Sequence, residues 1–230
     1  MLIKISKILY VVVIIVYNST TYAASESGSQ VAWSLPTLKI VRNGDPERGK
    51  NLAESCKSCH GQRGEGVNTE VVDDESTPAI PALAGQNPFF LFKQLHDYAN
   101  GDRDNPTMAA IAKNLTDENK ADLAAWFSSL ELPHHPKSNK DLKAAEIIAT
   151  KGDGKRVLPP CSVCHGNYGQ GDKIDIPSLG GQRSDYLERT LMAYRSGARH
   201  NDIYSRMRLI AKQLSVEEIK NLSIYYQEFK

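Results

Sequence analysis

The 230 residues predict an all-α chain made of two copies of one small helical domain, and three observations carry that expectation. Cys56-Lys57-Ser58-Cys59-His60 returns as Cys161-Ser162-Val163-Cys164-His165. Behind each run the landmarks keep their order. Ile80-Pro81-Ala82-Leu83-Ala84-Gly85-Gln86 matches Ile176-Pro177-Ser178-Leu179-Gly180-Gly181-Gln182, and Met108 to Leu115 matches Met207 to Leu214. The offset between copies is 105 at the cysteines, 96 at the prolines and 99 at the methionines, so loops differ in length while elements correspond. Self-similarity of this kind marks a duplicated unit. Third, both copies carry helix punctuation.

In the first copy, Asp45-Pro46 is an N-cap and N1 pair that opens a helix running into Cys56. Asn87-Pro88 opens a second helix over Phe89–Asn100, and Gly101 ends it as a left-handed cap. Thr116 caps a third, where Leu123, Phe127 and Leu130 share one face. The second copy repeats the plan with Lys143–Thr150, then Ser184 before Tyr186–Ser196 and Gly197, then Ser215 with Glu218 as a capping box. Its last helix sets Leu222, Tyr226 and Phe229 at the matching positions, which are core positions.

The chain opens with Lys4 and Lys7, an apolar run Ile8–Val16, and Thr21-Tyr22-Ala23-Ala24. That is the pattern of an export signal, cut after Ala23. The run is shorter than the ~20 apolar residues of a membrane span. An uncleaved anchor with peripheral membrane association is the other reading. Cleavage leaves 207 residues with 26 of the 28 basic and all 27 acidic side chains, a formal charge of −1. A balance so even gives no support to nucleic-acid binding. The expected layout is a signal peptide over 1–23, an irregular extension over 24–40, a first domain over 41–131, a linker over 132–140 and a second domain over 141–230. The linker holds Pro133, His134, His135 and Pro136; two prolines and a polar run place it on the surface, with histidines that either bind metal or are simply solvated.

All four cysteines lie in the twin runs, so none is left for a structural disulfide. On a helix, residues i, i+3 and i+4 share a face, which brings two thiols and an imidazole into one space. Cys-x-x-Cys-His is the attachment signature for c-type haem: Cys56, Cys59, Cys161 and Cys164 bond two porphyrins, and His60 and His165 reach the irons from one side. Zinc or disulfide readings of the cysteine pairs leave the histidines unexplained. What fills the opposite side of each iron separates a carrier from a catalyst. Met108 and Met207 stand at equivalent places, each expected in a loop before the last helix, and are the expected ligands. Met192 lies within a helix, and His96 and His200 are rivals without a histidine counterpart in the other copy. Pro81 and Pro177 are expected to offer a carbonyl to the Nδ1 protons of His60 and His165. Glu70, Asp73, Asp74 and Glu75 form an acidic loop that either docks a basic partner or faces water. Arg183, Arg189, Arg195 and Arg199 either pair with haem propionates or face water.

These residues resemble the cytochrome c4 family over positions 41–230, most specifically at Pro160–Gly166, Ile176–Gln182 and Tyr194–Arg199. The resemblance implies two class I cytochrome c domains related by an approximate two-fold axis, with haems close to the domain contact. It implies iron ligation by His60 with Met108 and by His165 with Met207, with Pro81 and Pro177 beside the histidines. It further implies a periplasmic electron carrier, not an enzyme, between a quinol-oxidising cytochrome complex and a haem-copper terminal oxidase. A peroxidase-like enzyme with one open iron, or the electron-entry subunit of a dehydrogenase, is the alternative. An insertion over 67–78 and the extended start depart from the family's pattern.

Overall fold

The computed structural model describes residues 28–31, 33–72, 74–172 and 174–229; the expected export signal and its cut after Ala23 lie outside them. Among the described residues no helix is long and apolar enough to cross a membrane.

The first half carries α1 (Leu35–Arg42), α2 (Pro46–Leu52), a 3-10 turn (Ala53–Cys56), α3 (Lys57–His60), α4 (Pro88–Asn100), α5 (Pro106–Ala112) and α6 (Asp117–Ser129). Local chemistry sets these starts. Asp45 Oδ1 accepts from the amides of Glu47 at 2.8 Å and Arg48 at 3.2 Å, and Asn87 Oδ1 does the same for Phe89 and Phe90. Both caps precede a proline whose missing N–H costs the helix nothing at N1. Gly101 ends α4 at φ 85°. Helices α2 and α6 cross so closely that a Cβ on Gly49 would sit 2.0 Å from the carbonyl of Asp122. Val41, Leu91, Phe92, Leu123 and Phe127 fill this core, with Leu130 at its rim.

The second half repeats the plan with α7 (Lys143–Lys151), α8 (Ser162–His165), α9 (Ser184–Ser196), α10 (Arg206–Ala211) and α11 (Val216–Gln227). Ser215 and Glu218 form the expected capping box of α11, while Ser184 is the first helical residue of α9 and Arg183 its cap position. Ile148, Leu187, Ile219, Leu222 and Tyr226 form its core, with Phe229 packed at the edge.

Three expectations need correction. The segment read as an irregular extension contains α1, capped by Ser34, whose hydroxyl accepts from Thr37 N–H, with a proline in its first turn. Val31 is buried and Trp33 meets Phe89 edge-on at 5.7 Å, so this segment closes the first core. The insertion is not a plain loop. Its residues Glu70–Val72 (β1) and Glu75–Thr77 (β2) pair antiparallel, with Val71 opposite Ser76, and Asp74 turns the hairpin at φ 66°. The linker is not solvated along its length: Leu132 and Pro133 lie against Gly85 and Gly181, and His135 Nε2 donates to the Gly181 carbonyl at 3.0 Å. His134 stays exposed.

The domains meet through a reciprocal pair of glutamines. Gln86 donates to Ser178 O at 3.0 Å and accepts from Ser178 N at 2.7 Å; Gln182 donates to Ala82 O at 2.9 Å and accepts from Ala82 N at 2.8 Å. Each glutamine thus completes the backbone of the other copy at the matching residue, which is the signature of two-fold symmetry. The fold is two tandem helical domains related by a pseudo-two-fold axis, all-α apart from the hairpin among the described residues.

Candidate haem centres

Helix α2 and its 3-10 extension deliver Cys56 half-buried and Cys59 exposed, and α3 ends on His60, which is buried. In the second copy Cys161 is half-buried, Cys164 exposed and His165 buried. Both short helices stop at a glycine of positive φ, 89° at Gly61 and 81° at Gly166, which turns the chain away before it can cover the ring. The loop then folds back: the amide of Gly66 bonds His60 O and that of Gly171 bonds His165 O, both at 2.8 Å. A Cβ on Gly66 would lie 2.5 Å from the Ala82 amide, so only glycine lets this loop lie against the proline segment.

That segment supplies the partner of each imidazole. His60 Nδ1 donates to Pro81 O at 3.0 Å, and His165 Nδ1 donates to Pro177 O at 2.9 Å. With the proton fixed on Nδ1, Nε2 carries the lone pair, which is the form a metal needs. Burial lowers both imidazole pKa values, against a smaller upward pull from the proline carbonyls, so both rings are held neutral. All four cysteines are free thiols. Burial raises the pKa of Cys56 and Cys161. Among the described residues no three His, Cys, Asp or Glu side chains converge as a metal site.

Met108 and Met207 do not sit in loops. Met108 is the third residue of α5 and Met207 the second of α10, both half-buried. Asn105-Pro106 accounts for the first, since it is another cap and N1 pair. Of the rivals, His96 Nδ1 is hydrogen bonded to Asn100 at 2.8 Å and its ring packs near Phe92, Met192 packs into the second core, and His200 Nδ1 is buried with no hydrogen-bond partner among the described residues.

The arginines separate. Arg183 donates to the carbonyls of Glu65 at 3.0 Å and Gly66 at 2.8 Å, and Arg189 to that of Ala79 at 2.8 Å, all across the domain contact. Arg195 bonds Leu214 O at 3.0 Å within its own domain. Arg199 lies over the ring of Tyr194, and Arg103 over that of Tyr98, each at 4.6 Å. Both guanidiniums donate to one oxygen, Gln94 Oε1, at 2.9 Å. Among the described residues neither has a carboxylate at ion-pair distance. Burial opposes ionisation of Tyr186, yet Arg103 and then Arg199 outweigh it and pull the phenol down to about 7. A buried Arg199 and a half-buried Arg103 with no carboxylate at ion-pair distance among the described residues, taken together with two neutral imidazoles and four free thiols, suit haem, which brings propionates, iron and vinyl groups together.

Sequence reasoning missed the polar contact between the domains. Lys93 and Asp97 are buried at 2.5 Å, and Lys93 also donates to Asn201 O at 2.6 Å. Asn201 donates to Asp97 at 2.6 Å and to Gln94 at 3.0 Å. Gln86 and Gln182 had a signal, because a polar residue kept at the same place in both copies asks for a reason. Lys93 and Asp97 had none, since the second copy has Arg189 and Ala193 there.

The cytochrome c family model matches residues 46–131. Cytochrome c4 of Pseudomonas aeruginosa is 33% identical over 186 residues, covering 80% of this chain and 88% of the relative. A thiosulfate dehydrogenase electron acceptor from Stutzerimonas stutzeri is 32% identical over 177 residues, covering 76% of this chain and 78% of the relative. The crystal structure of reduced recombinant cytochrome c4 from Pseudomonas stutzeri superimposes with a TM-score of 0.72 at 31% identity, covering 81% of this chain and all of that one. Fold, duplicated attachment runs and relatives agree: the chain belongs to the cytochrome c4 family, a dihaem c-type electron carrier with two covalently bound haem c groups.

Proposed function

We propose that the chain is an exported, periplasmic carrier that passes single electrons, with His60 and Met108 holding one iron and His165 and Met207 the other. The observation that carries this reading is the doubled histidine–proline bond, which gives each site a neutral, oriented imidazole behind two free thiols. The first site belongs to a domain over 41–131, the second to one over 141–230, joined by 132–140, after a signal cut at Ala23. Haem, once bound, supplies a one-electron couple at iron. The residues do the remainder. Cys56, Cys59, Cys161 and Cys164 tether the group; Pro81 and Pro177 keep the proton on Nδ1 and so strengthen Nε2 as a donor. The Met108 and Met207 thioethers would hold the irons as the second protein ligands and would favour the ferrous state. Arg103 and Arg199 take up propionate charge at the domain contact. In this reading the chain turns over no substrate, and no catalytic residue is assigned.

For partners, the family resemblance supports a quinol-oxidising cytochrome complex as donor and a haem-copper oxidase as acceptor. A second reading, a sulfur-compound dehydrogenase as donor, is favoured by the relative named as an electron acceptor of thiosulfate dehydrogenase.

An optical redox titration tests the ligand set. Two low-spin haems are expected, both with the weak red charge-transfer band of ferric methionine ligation. Met108→Ala and Met207→Ala should each remove half of that band and lower one midpoint, on the order of 0.1 V within the ~0.8 V that axial ligands span. Unchanged spectra in both variants would reject the assignment.

A further inference from the structure

The two methionines are reached by turns of different build. On the first side the chain passes through Asn105, extended at φ −171°, whose side chain accepts from Met108 N–H at 2.9 Å, and Pro106 starts the helix at its natural φ. The second side holds three extra residues between Arg199 and Met207, relative to Arg103 and Met108. They are Ile203–Ser205, a 3-10 turn in which Tyr204 (φ 56°, ψ 26°) and Ser205 (φ 56°, ψ 20°) are both left-handed. Glycine takes that conformation freely; residues with a Cβ do not, and here two follow in succession. Among the described residues Ser205 makes no side-chain cap for α10, where Asp202 accepts from the Arg208 amide instead, and Tyr204 is 88% exposed, so packing of its ring does not offset the strain.

Anchors hold the turn at both ends. Before it, Lys93 of the first domain bonds Asn201 O at 2.6 Å, and Asp202 accepts from Arg208 Nε at 2.7 Å and from its amide at 2.9 Å. After it, Arg206 reaches Asp175 at 3.3 Å. A strained segment between fixed ends relaxes when the residue it carries is let go.

We infer that the second iron, and not the first, is a conditional binding site for small Lewis bases: the Ile203–Ser205 turn stores the strain that drives Met207 off the ferric metal. This rests on the methionine ligand set proposed above. The first iron, behind the capped Asn105-Pro106 turn, stays closed. The carrier then has one permanent and one releasable sixth ligand.

The test uses ferric full-length holoprotein mixed with imidazole while the methionine band is followed. Half of the band should disappear in a fast step. That half is the one missing from Met207→Ala, whose remaining band should then resist imidazole. Tyr204→Gly, which relieves left-handed strain without deleting packed atoms, should slow the step by about tenfold, corresponding to ~1.4 kcal/mol, and Ser205→Gly should slow it too although it gives up the hydroxyl that accepts from Arg208 at 3.0 Å. Equal rates at both haems, loss of the Met108 half first, no reaction at either, or glycine variants as fast as the parent would each overturn the inference. Failure of the ligand set itself shows separately, as an intact double band in Met207→Ala.

Discussion

On the histidine side the two copies carry the same bonds at nearly the same lengths, 3.0 and 2.9 Å from imidazole to proline carbonyl and 2.8 Å in both loop closures. This holds although the first copy has nine more residues between histidine and proline. On the methionine side, one copy enters through a capped proline turn and the other through a left-handed pair. The difference follows from what each side must do. Two thiols and an imidazole within five residues have to match a rigid porphyrin, so any drift breaks attachment. In the proposed ligand set the opposite side has only to deliver one sulfur, which several turns can do. Extra residues are accepted where they bulge outward, as the β1–β2 hairpin does.

The largest effect expected from this comparison is loss of one haem. The double variant Cys161→Ala, Cys164→Ala should carry a single haem per chain by mass and by haem absorbance, with the first-domain spectrum retained. Loss of both haems would show that the copies do not mature independently. Next come the glutamines. Gln86→Ala strips the partners from Ser178 N and O, and Gln182→Ala from Ala82 N and O, so each should cost about 1–3 kcal/mol in chemical denaturation, with the two values close together. A large inequality would break the two-fold description of the contact. The smallest effect concerns the last helices. The α6 box uses Asn119, which does not titrate, whereas the α11 box uses Glu218, whose carboxyl is held below its usual range first by the Arg156 hydrogen bond. Because the folded pKa is depressed, this contribution is present above the unfolded value near 4.5 and is lost as pH falls through the folded one. The protection factor of the Glu218 amide, its exchange rate corrected for the intrinsic pH dependence, should therefore fall on acidification through that range while that of Asn119 is kept.

Much of this was legible because it is local. Asp45-Pro46, Asn87-Pro88, Thr116 and Ser215 mark helix starts through contacts within three residues, and the paired attachment runs declare the chemistry outright. Helix α1 had a local signal too, Ser34 ahead of Pro36, but its short, weakly periodic sequence read as irregular. The β1–β2 hairpin was hidden by its acidic residues, which suggest a solvated loop. Lys93 and Asp97 looked like an ordinary surface pair four residues apart; only the approach of Asn201 from the other domain buries them. The packing of Leu132 and His135 on the domain corners is likewise a contact between distant residues, and prolines alone do not announce it.

The reciprocal glutamine contact also bears on ancestry. A patch that binds its own copy through a two-fold axis is what a single-haem protein needs to form a homodimer, so the present molecule has the form of such a dimer written into one chain. The proposed nine-residue connection over 132–140 would then replace a concentration-dependent encounter by one at a local concentration in the millimolar range. Once the halves were tethered, each was free to change alone, and the unequal approaches to Met108 and Met207 are the kind of divergence that a true homodimer could never hold.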